Sequence, residues 1–138
     1  MDPDHADPDY AGHLHHVELC TADLAASVDF WGWFLDEFGY ERKNEWNSGR
    51  SWSNGPTYIV VKEAGNSDHP FDRLASGLNH LEFHAESREQ VNKLTTDIRE
   101  RADSRVLYED QHPYAGDYYA LYCEVPEGIK IEIVGPNE

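Results

Sequence analysis

Two histidines and a glutamate are spaced for metal chemistry. His16 opens the run His16-Val-Glu-Leu-Cys20, and His80 opens the similar run His80-Leu-Glu-Phe-His84. The second run begins 64 residues after the first, and Glu82 follows Glu18 by the same interval. Both alternate in the manner of a half-buried strand. Residues two apart on a strand share a face, so His16, Glu18 and Cys20 point one way, as do His80, Glu82 and His84. Glu132 lies in Lys130-Ile-Glu-Ile-Val134, an apolar alternation where a charge is costly unless paired or bound to a metal. If the two halves are related by a pseudo-twofold, the two histidines meet across one cleft. Two imidazoles and one carboxylate around a divalent ion leave coordination positions open for substrate and oxygen, and such an ion polarises an oxygen substrate. Taken singly, a strand histidine also fits a hydrogen-bonded structural role, and Glu132 an edge-strand charge. The spacing is what singles these three out.

The elements that must position them follow the same repeat. A fixed internal period sets architecture before any single motif does. The first strand spans 14–20, and Asp23 is placed to cap a helix whose apolar face is Leu24, Val28, Trp31, Leu35 and Phe38. Gly39 stops it. Strands follow over 40–46, 50–53 and 57–62, with turns at Asn47-Ser-Gly49 and Asn54-Gly-Pro56. The second half has a strand over 78–85 and a helix to about Arg101. That helix is opened by Ser87 and Gln90, the spacing of a capping box. Strands over 105–108, 117–124 and 130–134 complete it, with a turn at Pro126-Glu-Gly128. The order βαβββ, twice, predicts an α+β fold: two modules forming a curved mixed sheet around a cleft, helices outside. Residues 1–12 read as a disordered acidic arm and 13–138 as one domain: module one at 13–63, a polar linker at 64–77, and module two at 78–135.

Twenty-seven acidic residues against eleven basic ones give a formal net charge of −16, and only four of the basic residues are Lys. Such a surface repels nucleic acid and anionic membranes. Many carboxylates with few lysines point to a halophilic source, because salt near 1 M screens charges within about 3 Å. The expected result is a melting temperature that rises with KCl; a temperature that falls as salt rises would exclude adaptation to high salt. No apolar run is long enough to span a membrane, no secretory signal opens the chain, and Cys20 and Cys123 make no disulfide framework. A cytoplasmic setting follows. Cys20 reads as a buried small hydrophobe. His84, a strand neighbour of His80, is a candidate acid–base group, because histidine is the side chain suited to proton transfer near neutral pH.

Around this pattern the sequence resembles the vicinal oxygen chelate superfamily of glyoxalases, bleomycin- and fosfomycin-resistance proteins and extradiol dioxygenases. The matching residues are His16, Asp23, Leu24, Ser27, Phe30 and Trp31 in the first half. In the second they are Asn79-His80, the aromatic-rich stretch Tyr118 to Cys123, Pro126, Gly128 and Glu132. The resemblance spans about residues 13–135. It implies metal ligands at His16, His80 and Glu132, and Fe2+, Mn2+, Ni2+, Co2+ or Zn2+ as the ion. It also implies a small substrate with vicinal oxygens and a homodimer. The usual fourth ligand of glyoxalase I is missing, since Thr57 to Lys62 carries no carboxylate before Glu63. His112, Leu121-Tyr122, Pro126, Gly128 and Glu132 resemble the extradiol signature, which places His112 and Tyr122 beside the metal. Proton transfer would fall to His84, Tyr122 or Glu18. The implied activity is that of a metal-dependent glyoxalase (lyase) or extradiol dioxygenase (oxidoreductase). The alternatives are a metal-free bleomycin-resistance-like binding protein and a fosfomycin-resistance-like transferase.

Overall fold

A computed structural model describes residues 6–137; the first five residues of the acidic arm lie outside them. Pro8–Tyr10 form a short 3-10 turn capped by the Asp7 carboxylate. The chain folds as two compact units, and the boundary between them falls after His69, inside the polar linker.

Unit one comprises β1 (His16–Thr21), α1 (Leu24–Asp36), β2 (Glu41–Trp46), β3 (Gly49–Asn54) and β4 (Thr57–Glu63). Its sheet runs β1-β4-β3-β2. β1 is parallel to β4, and the other pairs are antiparallel. Unit two comprises β5 (His80–His84), α2 (Arg88–Glu100), β6 (Arg105–Val106), β7 (Ala120–Val125) and β8 (Ile129–Val134). Its sheet runs β5-β8-β7-β6, again with the first strand parallel to the last. The repeated βαβββ plan is therefore present in both units. A helix must intervene because parallel neighbours need a long crossover.

Local chemistry starts each helix. The Asp23 carboxylate accepts from the Ala26 amide at 3.1 Å, and the Ser87 hydroxyl accepts from the Gln90 amide at 3.0 Å. Gln90 reaches back to the Glu86 amide, one residue earlier than the usual reciprocal bond. The buried face of α1 is rotated from the expected one. Ser27, Phe30, Trp31, Phe34 and Leu35 are buried, whereas Leu24, Val28 and Phe38 are half-exposed. The Phe30-Trp-Gly-Trp-Phe-Leu35 run has large apolar groups all round the helix, so periodicity alone admits more than one face, and packing on β3 and β4 selects between them. In unit two Val91, Leu94 and Ile98 of α2 and Leu121, Cys123, Ile131 and Ile133 of the sheet are all buried from solvent.

Three expectations are corrected. The strand expected to reach Tyr108 stops at Val106, because Tyr108 takes a left-handed φ of 56° that no strand residue adopts. The strand expected from Asp117 begins at Ala120; before it, the Tyr119 carbonyl is drawn to the Gly135 amide at 2.7 Å. Cys20 is exposed rather than buried. Leu19 and Thr21 take the buried side of β1, so the strand's period of two leaves the thiol on the face of His16 and Glu18. Cys123 is the buried cysteine, and burial pushes its thiol pKa well up. Among the described residues no helix is long and apolar enough to cross a membrane.

Candidate metal centre

The site is built on the polar face of the second sheet. The ladder aligns His80 with Lys130, Lys130 with Glu124 and Glu124 with Arg105, a row of one residue per strand. Two steps along, Glu82, Glu132 and Tyr122 form another row. Neighbours in one row, and rows two apart, share a face, so strand pairing alone brings His80, Glu82, Glu132, Lys130 and Tyr122 together.

His80, Glu82 and Glu132 each offer a donor atom within 4.8 Å of the others, the only such trio of His, Cys, Asp or Glu among the described residues. The His80 Nε2 lies 3.3 Å from Glu132 Oε2 and 3.9 Å from Glu82 Oε1. Its other ring nitrogen, Nδ1, is held at 2.7 Å by the Asn79 side-chain oxygen. The Asn79 amide in turn donates to the Arg73 carbonyl at 3.2 Å. That chain fixes the ring with Nε2 turned to the carboxylates, the outer support that metal-binding histidines receive. Two carboxylates crowded against one imidazole are an electrostatic conflict that a cation resolves. The conflict is visible at Glu82: burial, then a hydrogen bond to Glu132 and that group's charge, hold its carboxyl above the usual range, against the opposing pull of His80 and His84. Glu132 is 7% exposed in a strand whose other residues, Lys130 apart, are apolar. The donor set therefore fits a divalent ion.

Tyr122 completes the face. Burial, followed by the charges of Glu132 and Glu82, raises its phenol pKa and keeps it protonated at neutral pH. Its hydroxyl is seated against Gly116, where a Cβ would collide with it. His84 is exposed on the same face of β5. His112 is not brought to this cluster. The charged groups acting on its ring are Arg99 and Glu109, and burial leads in lowering its pKa.

His16 and Glu18 lie in unit one. The His16 ring stacks on Tyr58 with centroids 4.6 Å apart, and its Nδ1 meets the His15 Nδ1 at 3.0 Å. In both units, then, the residue just before the strand histidine engages its Nδ1. Glu18 pairs with Lys62 at 3.3 Å. The parallel partner of Glu18 is Val60, where unit two places Glu132 opposite Glu82. The first unit thus has no carboxylate at the equivalent ladder position. Its cavity of about 980 Å³, between α1 and strands β2 and β3, is lined by Trp33, Tyr40 and Trp52 and contains none of these residues.

Sequence reasoning placed Glu82 on the right face but gave it no role. It missed Lys130 and Tyr108 altogether. The Lys130 Nζ lies 3.2 Å from Glu132 Oε2 and 3.3 Å from the Tyr108 hydroxyl. Lys130 was findable from its position two residues before Glu132, on the same face. Tyr108 had no such signal.

Residues 13–133 match the sequence pattern of the Glyoxalase/Bleomycin resistance protein/Dioxygenase superfamily. The chain belongs to this superfamily. It is 45% identical over 128 residues to the uncharacterized protein YqjT of Bacillus subtilis (strain 168), covering 90% of this chain and 99% of that one. A Bacillus halodurans crystal structure, named only provisionally as a glyoxalase, superposes with a TM-score of 0.90 at 46% identity, covering 94% of this chain and all of that one. The lactoylglutathione lyase of Agrobacterium tumefaciens shares the fold at a TM-score of 0.59 and 20% identity, over 87% of this chain and 90% of that one. The superfamily's description names enzymes, glyoxalase and dioxygenase, among its members.

Proposed function

We propose that this superfamily member is a divalent-metal enzyme of the glyoxalase or dioxygenase type, acting on a small substrate with two neighbouring oxygens. His80 and Glu132 are its ligands in module two. His16, at the matching strand position of module one in the same chain or a second copy, is the third ligand that the sequence resemblance adds. The supporting observation is the Nε2 atom and two carboxylates gathered within 4.8 Å, with the histidine oriented by Asn79.

A bound divalent ion would supply Lewis acidity and positive charge where an enediolate or catecholate develops. The chain's own groups supply the rest. Tyr122, protonated, donates a hydrogen bond to a substrate oxygen. Glu82, whose carboxyl is raised by burial and by Glu132, is suited to take up and return a proton. His84 on the same face is the second carrier, and Glu18 belongs with them if module one contributes. The cluster of His80, Glu82 and Glu132 favours this reading over a metal-free bleomycin-resistance-like binding protein. The fosfomycin-resistance-like alternative has support from fold alone: the FosX protein of Listeria monocytogenes matches at 18% identity. A cytoplasmic homodimer is part of the proposal.

Metal analysis of protein purified without an affinity tag tests it. The parent should carry about one transition metal per chain, a single site of this donor type, and His80→Ala should carry none. Iron or manganese would direct assays to ring cleavage of catechols, nickel or zinc to isomerisation of ketoaldehydes. A parent that holds no metal and cannot be loaded would remove the metal-enzyme reading.

A further inference from the structure

The Lys130 side chain is only 12% exposed, yet its ammonium sits beside the carboxylate proposed as a metal ligand. Its Nζ is 3.2 Å from Glu132 Oε2 and 3.3 Å from the Tyr108 hydroxyl. It also lies over two rings, 5.2 Å from the Tyr108 centroid and 5.5 Å from that of Tyr122. These rings pack edge to face at 5.6 Å, with Tyr108 set in a left-handed conformation just beyond the end of β6. Glu124, the ladder neighbour of Lys130, is itself held by Arg105 at 3.2 Å and Arg73 at 3.5 Å. The ammonium is therefore fixed in an aromatic cradle with its charge directed at Glu132.

We propose that Lys130 is the resident cation of this site: it competes with a divalent ion for Glu132, and it selects a substrate that binds as an anion. The inference rests on the metal reading above and names a substrate property that reading leaves open. The charges dictate both halves. The carboxylates of Glu82 and Glu132 face a single ammonium, and a divalent ion adds two positive charges to that set. A like-charged neighbour a few ångströms away weakens binding of the incoming cation. Once that cation shares Glu132, the ammonium faces an excess of positive charge that a monoanionic oxygen donor relieves. A carboxylate, an ionised enol or a catecholate monoanion provides one. The strongly acidic surface would repel such a molecule at long range, but that repulsion is screened by salt, whereas contact with a largely buried ammonium is not. Specificity would thus arise from one fixed charge at the reacting end of the substrate.

The test compares Lys130→Met and Lys130→Arg with the parent, using Mn2+ as the metal probe and acetohydroxamate, a monoanionic chelator with two neighbouring oxygens, as the ligand probe. Both are read as equilibrium binding, without turnover. Lys130→Met should bind Mn2+ at least about tenfold more tightly than the parent, and its Mn2+ form should bind acetohydroxamate at least about tenfold more weakly. Lys130→Arg should stay near the parent in both. Should Lys130→Met fail to fold, Lys130→Gln, which can still hydrogen-bond the Tyr108 hydroxyl, replaces it. Parent-like Mn2+ affinity in the neutral variant overturns the inference while leaving the metal site intact, and so does unchanged acetohydroxamate affinity. Failure of parent and variants alike to take up Mn2+ overturns the inference and the metal reading together.

Discussion

Glu132→Ala should give a folded protein whose affinity for divalent metal is reduced at least a hundredfold. Removing only an outer partner of a metal ligand typically costs about 10–100-fold, and Glu132 is proposed as a ligand. It is also the carboxylate on which the site converges, 3.3 Å from the His80 Nε2 and 3.2 Å from the Lys130 Nζ. Truncation leaves His80 as the one proposed ligand of this sheet. The fold should survive, because the neighbours that anchor β8, Ile131 and Ile133, are wholly buried and keep their packing. The electrostatic consequences for stability oppose one another. Lys130 loses its carboxylate partner while keeping Tyr108, and Glu82 loses the like charge that raises its pKa. Metal content after gel filtration in Mn2+, measured beside a circular-dichroism melt, separates binding from folding. A folded variant that retains parental metal would show that Glu132 is not a ligand and that the ion is held elsewhere.

The repeat made most of this legible. The two histidine-bearing strands, both helix caps and the order of elements followed from a constant offset and from capping residues, since those signals are local. So did the shared face of His80 and Glu82, which needs only the period of a strand. What sequence could not give was lateral: which residue on β8 or β7 faces which on β5. That depends on register between distant segments, and it is register that sets Lys130 beside His80 and Tyr122 beside Glu132. Tyr108 reads as strand because its neighbours favour strand; a left-handed residue other than glycine has no reliable mark in sequence. Cys20 was misplaced for a related reason. Its type favours burial, but its position in the alternation puts it with His16 and Glu18. Position outweighed type.

The largest loss of stability should come from Trp31→Ala. Trp31 is 1% exposed, and Phe30 and Phe34 beside it are wholly buried. Its ring meets Phe30 edge-on at 5.4 Å and Phe34 edge-on at 5.7 Å, while those two rings stack at 5.6 Å. α1 packs on β3 and β4, and truncation at this buried cluster opens a cavity that the remaining aromatics cannot close by small shifts. Replacing a buried aromatic with alanine costs about 3–5 kcal/mol, a large share of the roughly 5–15 kcal/mol available to a folded domain. With a urea slope of about 1–3 kcal/mol per molar, the midpoint should fall by more than about 1 M. Trp46, 38% exposed on the edge strand β2, supplies the control, since Trp46→Ala should move the midpoint far less. Equal shifts for the two substitutions would show that the Phe30–Trp31–Phe34 cluster is not the packed centre of its unit. Unequal shifts in the expected order would establish that the buried aromatic cluster of α1 holds the first module together.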